Sequence, residues 1–184
     1  MIPTISQQLK AIKTRIEESV IPELPAESKF AREQASFIVT TLEWMLDTHE
    51  HEYRYEVVEN VEYRDLLQAM LKRNIAGSVD PSLLAEAKSV IDEKGPSRDE
   101  AVIPLRDVLQ QNRRLKQAAM SLYTALSANC GARDNPTRDL VSDVSIGQGR
   151  RELAFFKKTG WVKSQDDLGV LLGERSSERS GEAA

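Results

Sequence analysis

Residues 30–45 read Phe30-Ala31-Arg32-Glu33-Gln34-Ala35-Ser36-Phe37-Ile38-Val39-Thr40-Thr41-Leu42-Glu43-Trp44-Met45. Ala31, Ala35, Ile38, Leu42 and Met45 follow one another at spacings of four, three, four and three. That spacing gathers them on one face of an α-helix, whereas a strand would scatter them over both faces. Phe30, Phe37, Thr41 and Trp44 widen the stripe into the most apolar helical face of the chain. The five stripe residues are expected at the core or at a helix–helix interface, where small Ala31 and Ala35 admit a second helix at close range. Pro25 suits a first helical turn, so the helix is expected to begin near it.

Working outward, the segments on either side carry the same period. Thr4-Ile5-Ser6-Gln7 is a capping box, followed by Ile5, Leu9, Ile12 and Ile16 on one stripe and closed by Pro22 and Pro25. After Met45 two readings stand: a turn at Asp47-Thr48-His49-Glu50, or a helix running on through Tyr53, Val57 and Val61. Tyr63, Leu66, Leu67, Met70 and Leu71 give a third helical stripe. Asp80-Pro81 caps a fourth helix bearing Leu83, Leu84, Ala87, Val90 and Ile91, stopped by Gly95-Pro96. Ser97-Arg98-Asp99-Glu100 is a second capping box ahead of a long helix with Val108, Leu115, Ala119, Leu122 and Leu126. Pro104 kinks that helix or marks its true start, and Asn129-Cys130-Gly131 reads as its stop.

The fold implied is all-α, an irregular bundle of about five main helices over residues 1–130. Residues 131–172 read as a peripheral extension docking on the bundle. It has a polar stretch Gly131–Gly149, a hint of strand alternation over Leu140–Ile146 and a short helix Arg150–Lys158. Leu153, Phe155 and Phe156 are available to dock that helix, Trp161 and Val162 to seal it, and Gln165–Leu172 forms a last turn. Residues 173–184, rich in Ser, Glu, Arg and Gly, read as a disordered tail.

Composition excludes several classes. In 184 residues there is one cysteine, Cys130, hence no intramolecular disulfide and no Cys-rich metal site; a reducing cytoplasm is the expected location. No apolar run reaches the roughly 18 residues of a membrane span, and the start lacks the pattern of an export signal. The net charge of −4 argues against nucleic acid. It is unevenly spread, net −7 over residues 1–100 and net +3 over 101–184. There is no phosphate-binding Walker loop and no Gly-x-Ser-x-Gly elbow.

Two candidate sites follow from spacing. If the second helix continues past residue 48, Glu43, Asp47 and His51 fall at i, i+4 and i+8 and present carboxylate and imidazole ligands for a divalent metal. Two-metal bundle sites use Glu-x-x-His pairs, and none occurs here. The second candidate is the stretch from Ser145 to Arg151. A strand, a turn over Gly147 and Gly149 and a helix start would aim backbone amides with Arg150 and Arg151 at an anion. Glu152 stands where a dinucleotide fingerprint has its third glycine. Cys130 has only His49 and His51 as prospective bases, neither near it in sequence. Asn112 lies on the apolar stripe between Val108 and Leu115, where a lone Asn fixes register or oligomer state, caps a buried backbone group or faces solvent. Arg113, Arg114, Lys116, Arg150, Arg151, Lys157 and Lys158 read chiefly as a solvated basic face.

Ile21-Pro22-Glu23-Leu24, then Phe30-Ala31-Arg32-Glu33-Gln34-Ala35, resembles a bacterial family of small all-helical proteins of unknown function. Its members are encoded near aminoglycoside-phosphotransferase-like kinases and acyl-CoA dehydrogenases. The resemblance covers residues 5–45 and more loosely extends to 125; it brings no catalytic residues with it. Together these readings lead to a cytoplasmic, non-catalytic accessory protein acting by helix packing with itself or a partner enzyme, with no cofactor expected. The rivals are a carboxylate–His metal protein and an anion binder at Gly147–Arg151.

Overall fold

The computed structural model describes residues 3–73, 79–96, 103–128, 137–160 and 162–173. Among these the chain is all-α: α1 (Ile5–Arg15), α2 (Lys29–Thr48), α3 (Glu52–Arg73), α4 (Pro81–Asp92), α5 (Leu105–Ala128), α6 (Arg138–Phe156) and α7 (Leu168–Leu171). No described helix is long and apolar enough to cross a membrane. The chain divides into two compact units. A terminal unit comprises residues 1–51 and 151–184, and a central unit residues 52–150. The division therefore falls at 51/52 and 150/151, not at 130/131. The expected second capping box, the Asn129–Gly131 stop, Cys130, Trp161 and the tail from 174 lie outside the described residues.

In the terminal unit α1 starts as its sequence dictates. Thr4 Oγ1 accepts from the Gln7 amide at 3.2 Å and the Gln7 side chain accepts from the Thr4 amide at 2.9 Å. The helix loosens after Arg15 into a π-helical turn over Ile16–Val20, closed by Ile21 N to Ile16 O at 2.9 Å. Pro22, which has no amide to give, stands just beyond. Arg32 of α2 reaches back to the carbonyls of Leu24 (3.1 Å) and Ile21 (3.4 Å), tying down the connecting turn. Pro25 does not open α2. Its carbonyl takes the Ser28 amide in a separate turn, and the helix begins at Lys29. Leu9, Ala35, Leu42, Ala154, Leu168 and Leu172 are this unit's buried apolar residues. Trp44 closes one end, donating Nε1–H to the Phe155 carbonyl at 2.9 Å and stacking on Phe156 at 5.5 Å between centroids.

The central unit is built on α3 against α5, with α4 packed on both. Leu66, Leu67 and Met70 of α3 meet Leu115, Ala118, Ala119 and Leu122 of α5, and Ala87 and Val90 of α4 complete the layer. Asp80 caps α4 by accepting from the Ser82 amide at 2.8 Å, with Pro81 in the first turn. Pro104 marks the start of α5, its carbonyl accepting from the amides of Asp107 and Val108. The strand-like alternation over Leu140–Ile146 is helix. Leu140, Val141 and Val144 lie at i, i+1 and i+4 and bring one face of α6 onto the core. The first half of this stretch thus belongs to the central core, not to a peripheral extension.

Candidate functional site

The proposed metal ligands do not converge. α2 ends at Thr48, His49 caps it, and a turn closed by His51 N to Thr48 O (2.9 Å) leads into α3. His51 therefore leaves the face that carries Glu43 and Asp47. Glu43 pairs instead with Lys13 at 3.2 Å, and His49 Nε2 lies 2.9 Å from Ser6 Oγ. Among the described residues no group of three or more His, Cys, Asp or Glu could hold a metal ion.

The anion-binding turn is also overturned. Gly147, Gly149, Arg150 and Arg151 all lie inside α6, where backbone amides are committed to the helix and cannot cradle a ligand. Arg150 is exposed and Arg151 is buried. A Cβ at Gly149 would meet nothing within 4 Å. Gly149→Ala is therefore expected to raise stability by about 0.5–1 kcal/mol, read from thermal and urea unfolding. A loss of stability on substitution would contradict the open space beside Gly149.

Of the stripe residues, Ala35 and Leu42 are buried, Ala31 is half-buried, and Ile38 and Met45 face solvent. α2 is thus apolar over a wider arc than its own unit covers. Phe30 is 74% exposed, Ile38 50% and Phe37 47%. Phe30 and Phe37 lie one heptad apart, as do Ile38 and Met45, so the uncovered residues form two rows on α2, the Ile38–Met45 row beside the buried stripe and exposed Gln34 and Thr41 between the rows. Ile5 and Ile12 of α1 are also exposed and one heptad apart.

Asn112 is buried and stands at the centre of a polar network linking α3, α5 and the end of α4. Its Nδ2 donates to the Glu56 carbonyl (2.9 Å) and to Glu56 Oε2 (2.8 Å), and its Oδ1 accepts from Asn60 Nδ2 at 2.7 Å. Asn60 Oδ1 takes Arg64 Nε–H at 2.8 Å. The same guanidinium then donates to the carbonyls of Val90 (3.3 Å) and Ile91, satisfying carbonyls left open at the C-terminus of α4. Gln111 Nε2 donates to the Lys94 carbonyl at 2.9 Å. Gly95 gives the guanidinium room, since a Cβ there would lie 3.0 Å from Arg64 Nε. Burial lowers the Arg64 pKa from its ordinary value; Glu93 opposes this and Arg114 adds to it.

Burial is also the main force holding the Glu56 carboxyl above the usual carboxylate range, against the Asn112 hydrogen bond that favours its charged form. Glu59 and Glu52 push the same way as burial, and Lys116 opposes them. The folded protein accordingly binds more protons at Glu56 than the unfolded chain does. Its stability falls as pH rises from the ordinary carboxylate value through the raised one. Glu56→Gln removes that loss, while its amide oxygen still accepts from Asn112. The variant is expected to be the more stable at neutral pH, with the gap closing as pH drops below the carboxylate range, measured as urea midpoints across pH.

Beside the network, Glu59 is buried and its Oε2 meets Lys116 Nζ at 2.8 Å. The ammonium also lies 5.6 Å from the Tyr63 ring centre, and Tyr63 Oη donates to Gln148 Oε1 at 2.9 Å. Lys116 edges a cavity of about 330 Å³ between α3, α5 and α6, floored by Leu66, Met70 and Ala119. Sequence reading singled out Asn112 but missed its partners. The signal was present: Asn60 interrupts the stripe Val57, Leu67, Leu71 of α3 as Asn112 interrupts that of α5.

Comparison of the chain with protein-family models, with curated proteins and with solved structures finds no match.

Proposed function

We propose that this is a non-catalytic interaction protein whose α1–α2 hairpin packs against the same hairpin of a second copy. The observation that carries the reading is the uncovered rows of Phe30, Phe37, Ile38 and Met45 on α2. Large apolar side chains gathered on one exposed helix face mark an interaction surface. Heptad spacing along the rows suits a helix as the partner rather than a loop or a strand. The resemblance of residues 5–45 to a bacterial helical family falls on this same hairpin. A single cysteine in the chain supports a reducing cytoplasm as the setting.

Light scattering on eluted protein tests the reading. The wild type is expected at twice the 20.6 kDa chain mass or more, and Phe37→Glu and Ile38→Glu at 20.6 kDa with unchanged helical content and a melting temperature that no longer rises with protein concentration. Ala35→Glu differs because Ala35 is buried within the unit; it is expected to unfold the hairpin rather than release an intact monomer. A wild type that stays monomeric at high concentration would remove self-association as the function.

A further inference from the structure

The central unit holds a cavity with the chemistry of a ligand site. Its volume, about 330 Å³, is roughly twice that of an apolar protein cavity that takes up benzene (~150 Å³). Its floor is apolar and buried, while exposed Met120 and Ser145 and half-buried Lys116 stand at its rim. Two tyrosine rings, Tyr63 and Tyr123, and two thioethers, Met70 and Met120, line it. Aromatic edges and thioether sulfurs both make favourable contacts with an arene.

Among the described residues of the lining, Lys116 is the one charged side chain. Buried Glu59 at 2.8 Å holds it in place through a single short contact, and an ammonium has three donors. A donor on that ammonium is therefore available to an acceptor entering from the rim. Ser145, on the exposed rim, spends its hydroxyl proton on the Val141 carbonyl at 2.7 Å and has no donor to offer a ligand, which leaves that role to Lys116. An arene that presents an acceptor at the Lys116 end is met by that donor, whereas a cationic head group placed there meets a like charge.

We infer that the cavity between α3, α5 and α6 binds a flat aromatic monocarboxylate of about two rings, its carboxylate accepting from Lys116. The Glu59–Lys116 pair acts as a positioned donor, and the Tyr63, Tyr123, Met70 and Met120 side chains hold the ring system.

Titration with 2-naphthoate, followed by tyrosine fluorescence and calorimetry, tests this on the full-length protein. One equivalent is expected to bind, at least about tenfold more tightly than 2-naphthylmethylamine, the margin of one charge-assisted hydrogen bond. Lys116→Met is expected to abolish that preference. Because it leaves Glu59 without its partner, Ser145→Trp provides a second variant at an exposed rim position, expected to block both compounds while melting normally. Equal binding of the acid and the amine, or naphthoate binding that survives Ser145→Trp, would overturn the assignment. So would naphthoate that dissociates an oligomer which Ser145→Trp also breaks, since the cavity would then be filled by a second copy.

Discussion

Asn60→Ala is expected to destabilise the central unit by about 3 kcal/mol, one of the two largest single-site losses in the chain. Asn60 is fully buried and makes bonds in two directions, donating to Asn112 and accepting from the Arg64 guanidinium. Truncation strands the Asn112 oxygen and one face of a charged group, and each stranded buried group costs about 1–3 kcal/mol. The loss is therefore larger than that of an exposed side chain with the same number of bonds. Asn112→Ala is expected to cost a similar amount, and the double variant less than the sum, because the second truncation strands fewer groups. Strict additivity in that cycle would contradict the network. All four tyrosines lie in the central unit and Trp44 in the terminal one, so tyrosine and Trp44 signals in the near-ultraviolet report different units. The tyrosine transition is expected to move while the Trp44 transition moves less.

Leu115→Ala is expected to cost about 3–4 kcal/mol by a different mechanism. Leu115 is fully buried in the layer where α3, α4 and α5 meet, beside Leu67 and Met70. Removing its branched end forfeits transfer energy and leaves a void that helices packed on three sides cannot close. A urea midpoint lowered at constant slope is the expected reading, and a loss below about 1.5 kcal/mol would mean that the layer collapses to fill the space.

These two substitutions show what was legible in the sequence. Helical period exposed Leu67 and Met70 on one apolar stripe and Leu115 and Leu122 on another, because burial is written into spacing. Local chemistry fixed the ends whose partners are near in sequence, the Thr4–Gln7 box and the Asp80 cap among them. Pairing between helices was not legible. Asn112 drew notice as an exception on a stripe, but Glu56, Asn60 and Arg64 reach it only after α3 and α5 are aligned side by side.

The metal and anion candidates failed for a related reason. Each assumed a local conformation that neighbouring packing decides. A single turn at residues 49–51 sends His51 off the α2 face, and the pull of Leu140, Val141 and Val144 onto the core carries the two glycines into helix. The rows on α2 were legible as apolar but not as uncovered. Spacing alone gave Ala35 and Ile38 equal standing, and only packing within the terminal unit separates the buried residue from the exposed one.

Sedimentation velocity on the untagged wild-type protein over a broad concentration series tests the central claim most directly. A sedimentation coefficient that rises with concentration to a dimer or larger plateau, and stays at the monomer value for Phe37→Glu, is the predicted result. A wild type fixed at the monomer value across the series, or a Phe37→Glu variant that associates as the wild type does, would contradict self-association through α2.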